Sequence, residues 1–219
     1  AFSRAILDEI ASRSGGVPFD AASLTEDYEL GLKIRSAGGR AAFVRLPEAK
    51  GHPLVMTREF FPGTIDAAVA QKARWMTGIA LSGWDRLGWS GGLAERWMRL
   101  RDRQSVLAAL CLLSAYVALL SLAHIFLGVS PRPVSPLLAA LLSINGMLLA
   151  WRLAMRFTFV AQAYGWREGL RSLPRVVIGN AIAMLAARRA VTRYLSARKL
   201  GGLRWDKTAH AFPALLPRS

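Results

Sequence analysis

Between Ser105 and Leu127 the chain runs for 23 residues without a formal charge, counting His124 as neutral. A helix of that length, rising about 1.5 Å per residue, covers a hydrocarbon core of about 30 Å. After a turn at Gly128-Val129-Ser130-Pro131-Arg132-Pro133, a second uncharged run follows from Val134 to Ala150. It reaches full span by continuing past Trp151, with Arg152 extending its head to the interface. Two adjacent runs of this kind predict a transmembrane hairpin, at about 105–127 and 134–155, rather than a buried hairpin of a soluble protein.

Charge fits that reading. The net charge is +15, which by itself would suggest a nucleic-acid partner. Residues 1–100 hold 13 Lys/Arg against 11 Asp/Glu, however, and residues 101–219 hold 16 against 3. The excess thus sits with the apolar runs, where phospholipid headgroups select it, and nucleic acid is not expected. The hairpin turn carries only Arg132. Arg96, Arg99, Arg101 and Arg103 precede the first run, and Arg152, Arg156, Arg167, Arg171 and Arg175 follow the second. The positive-inside rule places both ends in the cytoplasm. A further apolar stretch, Val176–Ala187, is short, contains Asn180 and is bracketed by arginines. It reads as part of an interfacial helix at about 174–197 in a basic tail (161–219), with a short third span as the alternative.

Residues 1–100 read as mixed α/β. Helical spacing covers Ser3 to about Ala11 and is broken by Gly15-Gly16-Val17-Pro18. Ser23-Leu24-Thr25-Glu26 fits a capping box, Ser23 at N-cap and Glu26 at N3, opening a helix to about Ala37. Residues 41–46 (Ala-Ala-Phe-Val-Arg-Leu) predict a strand ended by Pro47, and a helix runs from Thr64 to about Trp84. Cys111 is the single cysteine, so neither a disulfide nor a cysteine-based metal site can form within the chain. The chain opens on Ala1-Phe2-Ser3-Arg4, which reads as the middle of a domain, and an upstream portion is expected.

Two stretches could carry chemistry. Asp27, in Thr25-Glu26-Asp27, falls in the first turn of a helix, where the dipole and free N–H groups favour the charged carboxylate. Such a carboxylate can accept a proton from an attacking hydroxyl. Acidic residues are common at helix starts for the same dipole reason, so position alone favours a stabilising role. In the second stretch, Gln71, Arg74 and Trp75 share one helical face. Arginine offers a planar donor fork for phosphate, and tryptophan a flat surface for a sugar ring. An amphipathic interfacial helix with a tryptophan anchor fits that stretch equally well.

In combination the pattern is more specific. Thr-Glu-Asp, then Gln-x-x-Arg-Trp, then a transmembrane hairpin resembles the processive family 2 membrane glycosyltransferases, the cellulose, chitin and hyaluronan synthases. Ser23–Gly31 and Trp205–Pro213 further resemble a bacterial inner-membrane branch of that superfamily, the bacteriophage N4 adsorption protein B group. The resemblance implies a partial GT-A-like α/β domain over 1–100. It implies Asp27 as general base, Gln71 and Arg74 on the leaving nucleoside diphosphate, Trp75 lining the acceptor site, and Glu26 and Thr25 shaping the loop. It implies a UDP-sugar donor, a glycan acceptor, the lipid bilayer and an outer-envelope protein as partners. Mg²⁺ or Mn²⁺ is implied for the complete protein, held by an Asp-x-Asp pair. No Asp-x-Asp occurs here, so the metal ligands are expected upstream and this stretch alone is expected not to turn over. The competing function is a non-catalytic membrane scaffold of an export or phage adsorption complex. His52 and His124 read as ordinary polar contacts, and Trp84 and Trp89 as interfacial aromatics.

Overall fold

The computed structural model describes residues 2–20, 23–42, 44, 46, 47, 49, 55, 61–128 and 135–200. In chain order the helices are α1 (Arg4–Arg13), α2 (Glu26–Ser36), α3 (Ile65–Met76), α4 (Gly83–Leu87), α5 (Leu93–Arg103), α6 (Ser105–Gly128), α7 (Pro136–Tyr164), α8 (Trp166–Ser172) and α9 (Arg175–Leu200). A π-helical turn, Thr77–Ser82, joins α3 to α4.

The α/β expectation is overturned, because no strand occurs among the described residues. In the expected strand 41–46, the described positions 41, 42, 44 and 46 are irregular. What forms nearby is an isolated bridge at Pro47 and one bond, the Val55 N–H donating to the Leu46 carbonyl at 2.9 Å. A strand persists only where a neighbour takes its N–H and C=O groups. Among the described residues there is no second strand to do so, and Pro47 has no N–H to give. The hairpin turn 129–134, His52 and Trp205–Pro213 lie outside the described residues.

The chain divides into two compact units, residues 1–108 with 185–219, and residues 109–184. In the first, Ile10, Leu24, Leu30, Val69 and Met76 are buried, together with Ala68, Ala73, Ala80, Ala186, Ala187 and Ala190. Burying each of the larger side chains is worth about 1.5–3 kcal/mol. α3 starts where Thr64 accepts the Ala67 N–H on its hydroxyl at 3.3 Å. Tyr194 of α9 donates its hydroxyl to Asp85 of α4.

In the second unit, Ser135 caps α7 by accepting the Leu138 N–H at 3.3 Å, and Pro136 takes the first helical position. α7 is 29 residues long with none buried, about 44 Å at the helical rise. The apolar residues over most of its length are exposed, which suits a hydrocarbon surround. It extends beyond the expected end near 155, since Arg152 and Arg156 interrupt the apolar run but not the backbone ladder. Gly165, at φ +91°, turns the chain into α8. α8 folds back onto α7, where a β-carbon on Gly169 would stand 2.9 Å from the Ala161 Cβ. The Arg156 Nε donates to the Ser172 carbonyl at 3.0 Å. Asn180, the polar residue in the third apolar stretch, donates to the Tyr116 hydroxyl at 3.1 Å.

Among the described residues α7 is the one helix that by itself is long and apolar enough to cross a membrane. Leu93–Arg103 with Ser105–Leu120, and Trp166–Ser172 with Arg175–Lys199, meet that standard only when each pair is joined across its break.

Candidate functional site

The Thr25-Glu26-Asp27 stretch enters α2 along a buried path, Ser23, Leu24 and Thr25 all being inaccessible. The capping box is not formed. Thr25 is the N-cap and Glu26 the first helical residue. The Ser23 hydroxyl instead accepts the Thr25 N–H at 3.2 Å, a local turn that delays the helix start. Glu26 and Asp27 are exposed in the first turn, and Asp27 Oδ1 accepts the N–H of Tyr28 at 2.8 Å.

On α3, Gln71 is buried, Arg74 half-buried and Trp75 exposed. Burial pushes the neighbouring Lys72 ammonium below its usual range. Three residues after Trp75 comes Gly78, at the start of the π turn, on the face that Gln71 and Arg74 occupy. A β-carbon on Gly78 would stand 2.6 Å from Thr25 Oγ1, 2.7 Å from Thr25 Cγ2 and 3.2 Å from the Leu24 Cβ. The π-turn backbone therefore lies directly on Thr25, and no other residue type fits there without displacement. π segments widen the helix by one residue per turn and often mark functional sites.

The contact joining the two motifs runs through Thr25 and Gly78. Thr25 Oγ1, Gln71 Oε1 and Ser82 Oγ are buried with no partner among those residues. Buried polar atoms are nearly always bonded, so such orphans mark places where water or a ligand group belongs.

A second set of residues, missed in the sequence, holds this arrangement from behind. The buried Glu29 carboxylate takes Arg86 at 3.1 Å, and Arg86 also bonds Asp20. The Tyr28 hydroxyl donates to Asp102 at 3.2 Å, and Arg35 bonds Glu95 at 2.6 Å, so both ends of α2 are tied to α5. Burial foremost, then the Asp102 charge and the bond to it, push the Tyr28 phenol up to about 12. Arg99 Nη1 donates to the Leu87 and Gly88 carbonyls at 2.9 and 3.2 Å. Arg103 donates to the Gly83 carbonyl at 3.3 Å and lies 5.3 and 4.7 Å above the rings of Trp84 and Trp89. Those two rings meet edge to face at 4.9 Å. Trp84 and Trp89, expected as interfacial aromatics, thus receive a buried arginine. The glycine inside the helical pattern at 78 was the one available signal for the close approach.

Among the described residues no group of three or more His, Cys, Asp or Glu could hold a metal ion. The ligands of the implied divalent cation are expected outside this chain, and the chemistry these residues themselves can supply is proton acceptance, anion binding and ring stacking.

The family model described as glycosyl transferase family group 2 matches residues 1–187. The chain is 32% identical over 241 aligned positions to Bacteriophage adsorption protein B of Escherichia coli (strain K12), and equally to Bacteriophage N4 adsorption protein B of Escherichia coli O157:H7. The match covers 98% of this chain and 32% of each relative, so the chain spans about a third of their length. No solved structure matches.

Proposed function

The chain belongs to glycosyl transferase family group 2, and on that footing we propose that it carries the acceptor side of a sugar-transfer site in a longer, membrane-bound protein. The donor is a nucleotide sugar, for which a UDP-sugar is the reading favoured, and the acceptor is a glycan hydroxyl. The acceptor oxygen attacks the anomeric carbon, its proton passes to Asp27, and the bond to the nucleoside diphosphate breaks with inversion. Gln71 and Arg74 bind the departing diphosphate, Trp75 lines the acceptor site, and Glu26 and Thr25 shape the loop. Transfer is assigned to the longer protein and not to this chain by itself.

One observation carries the reading: the Thr-Glu-Asp helix start rests on the Gln-x-x-Arg-Trp helix through the Thr25–Gly78 contact. The unpartnered Thr25 Oγ1 and Gln71 Oε1 atoms support it. The exposed apolar residues of α7 support attachment to a membrane, and the arginine-rich segments flanking the apolar runs favour a bacterial inner membrane with both ends cytoplasmic. The test is Asp27→Asn in the longer protein, which abolishes sugar transfer and leaves membrane insertion unchanged. Transfer at the wild-type rate would remove Asp27 from this role.

The names of the two relatives favour a second reading, a scaffold that serves bacteriophage adsorption without catalysis. Loss of adsorption on deleting the longer protein, together with full adsorption and no detectable transfer in the unmodified protein, would decide for it.

A further inference from the structure

α5 is amphipathic in an inverted sense. Leu93, Trp97 and Leu100 are 87%, 66% and 46% exposed, while Arg99 and Arg103 are 3% and 5% exposed. The three apolar residues recur at i, i+4 and i+7, a single stripe along the helix. Arg96 and Arg101, both exposed, flank that stripe on either side; Arg96 donates its Nε to the Gly91 carbonyl at 3.1 Å and keeps its terminal nitrogens outward. Four other side chains of the helix are engaged with the protein, while Met98, off the stripe, is 50% exposed: Glu95 with Arg35, Asp102 with Tyr28, Arg99 with the Leu87 and Gly88 carbonyls, Arg103 with Gly83 and the two indoles. Rotating the helix to hide the apolar stripe would strip those polar groups of their partners. The exposure is therefore enforced by the rest of the unit. One residue later, after Gln104, the chain enters the uncharged helix α6.

We infer that α5 lies in the surface of a phospholipid bilayer, with Leu93, Trp97 and Leu100 in the acyl boundary and Arg96 and Arg101 at the headgroup phosphates. Continuity with α6 favours the bilayer as occupant, and so does an apolar stripe edged by cations on both sides. A second copy on a two-fold axis would set this doubly cationic face against its like, which is repulsive. Only half of the arginines before the first apolar run serve the membrane on this account; Arg99 and Arg103 serve the protein. Since α5 also bonds Tyr28 and Arg35 on α2, the bilayer sets the position of Asp27. That last consequence rests on the proposed transfer function; the placement of α5 does not.

The experiment uses the full chain in lipid nanodiscs. Cys111→Ser removes the native thiol, and Trp97→Cys carries an environment-sensitive fluorophore. Arg13→Cys, on the exposed side of α1, is the comparison, and Leu93→Cys repeats the measurement at a second point of the stripe. The expected result is several-fold stronger quenching by lipid-chain quenchers at 97 and 93 than at 13, and the reverse with aqueous iodide. Equal iodide quenching at all three positions overturns the proposal. Shielding from both quenchers overturns it too, with a 97–97 crosslink identifying a second copy and its absence identifying another protein segment. No step needs sugar transfer, so a failed transferase assignment leaves this result interpretable.

Discussion

Thr25 and Gly78 are in direct contact: Thr25 Oγ1 lies 2.6 Å from where a β-carbon on Gly78 would stand. They are separated by more than fifty residues of chain. Neither would be chosen for its chemistry, yet this packing decides how a helix start bearing two exposed carboxylates meets the helix bearing Gln71 and Arg74.

Gly78→Ala forces Thr25 away and should destabilise the chain by about 1–3 kcal/mol, the usual cost of overpacking. Transfer by the longer protein should fall on the order of tenfold or more, as expected for a small displacement of a reacting group. Thr25→Ala in the same chain removes both clashing atoms, so the double variant should regain stability relative to Gly78→Ala. A double-mutant cycle by thermal unfolding in detergent reads the coupling.

Trp75→Ala should leave folding intact, because the side chain is substantially exposed. Its effect should be on the acceptor: KM for the glycan rises about tenfold with loss of ring stacking, while KM for the nucleotide sugar stays constant. Steady-state kinetics with each substrate varied in turn separates the two, and a rise confined to the donor would reassign this residue.

Arg86→Ala leaves the buried carboxylate of Glu29 without its cation. Breaking a buried pair costs about 3–5 kcal/mol, and partial exposure of Arg86 puts the expectation at the low end. Glu29→Gln combined with Arg86→Ala should be less harmful than Arg86→Ala alone, because no bare charge remains. The midpoint of denaturant unfolding checks both.

Tyr28 should give this chain a stability loss in strong alkali. Its phenol titrates at the ordinary 10.0 when unfolded and at about 12 when folded. Below the first value both states hold the proton and the stabilisation is complete. Between the two, the unfolded chain releases its proton while the folded chain keeps it, so stability falls as pH rises. Tyr28→Phe should flatten that slope, Tyr194 contributing the remainder in the same direction, and remove one tyrosinate absorbance step near 12. If the step lost on substitution lies near 10 rather than near 12, the Tyr28 phenol is not held buried beside Asp102.

The helices were legible locally. Periodicity and the glycine and proline breaks placed α1, α2 and the start of α3 within a few residues, and the absence of charge marked α6 and α7; the helix expected to run to about Trp84 instead gives way at Met76 to a π turn. The N-cap of α2 was not legible, because Ser23 and Thr25 are both competent caps and burial of Thr25 beneath Gly78 chose between them. The residues of the expected strand 41–46 have the right composition for one, but a strand exists only through a partner.

Alone, the amino-acid order determined the helical segments, the uncharged runs and the two motifs, since helical hydrogen bonds and side-chain period are satisfied within a few residues of chain. Tertiary structure decided that Arg99 and Arg103 turn inward, that Tyr28 reaches Asp102 across 74 positions, and that Gly78 lies on Thr25. Those outcomes depend on which distant groups remain to satisfy a buried charge or fill a gap, and no local pattern encodes that competition.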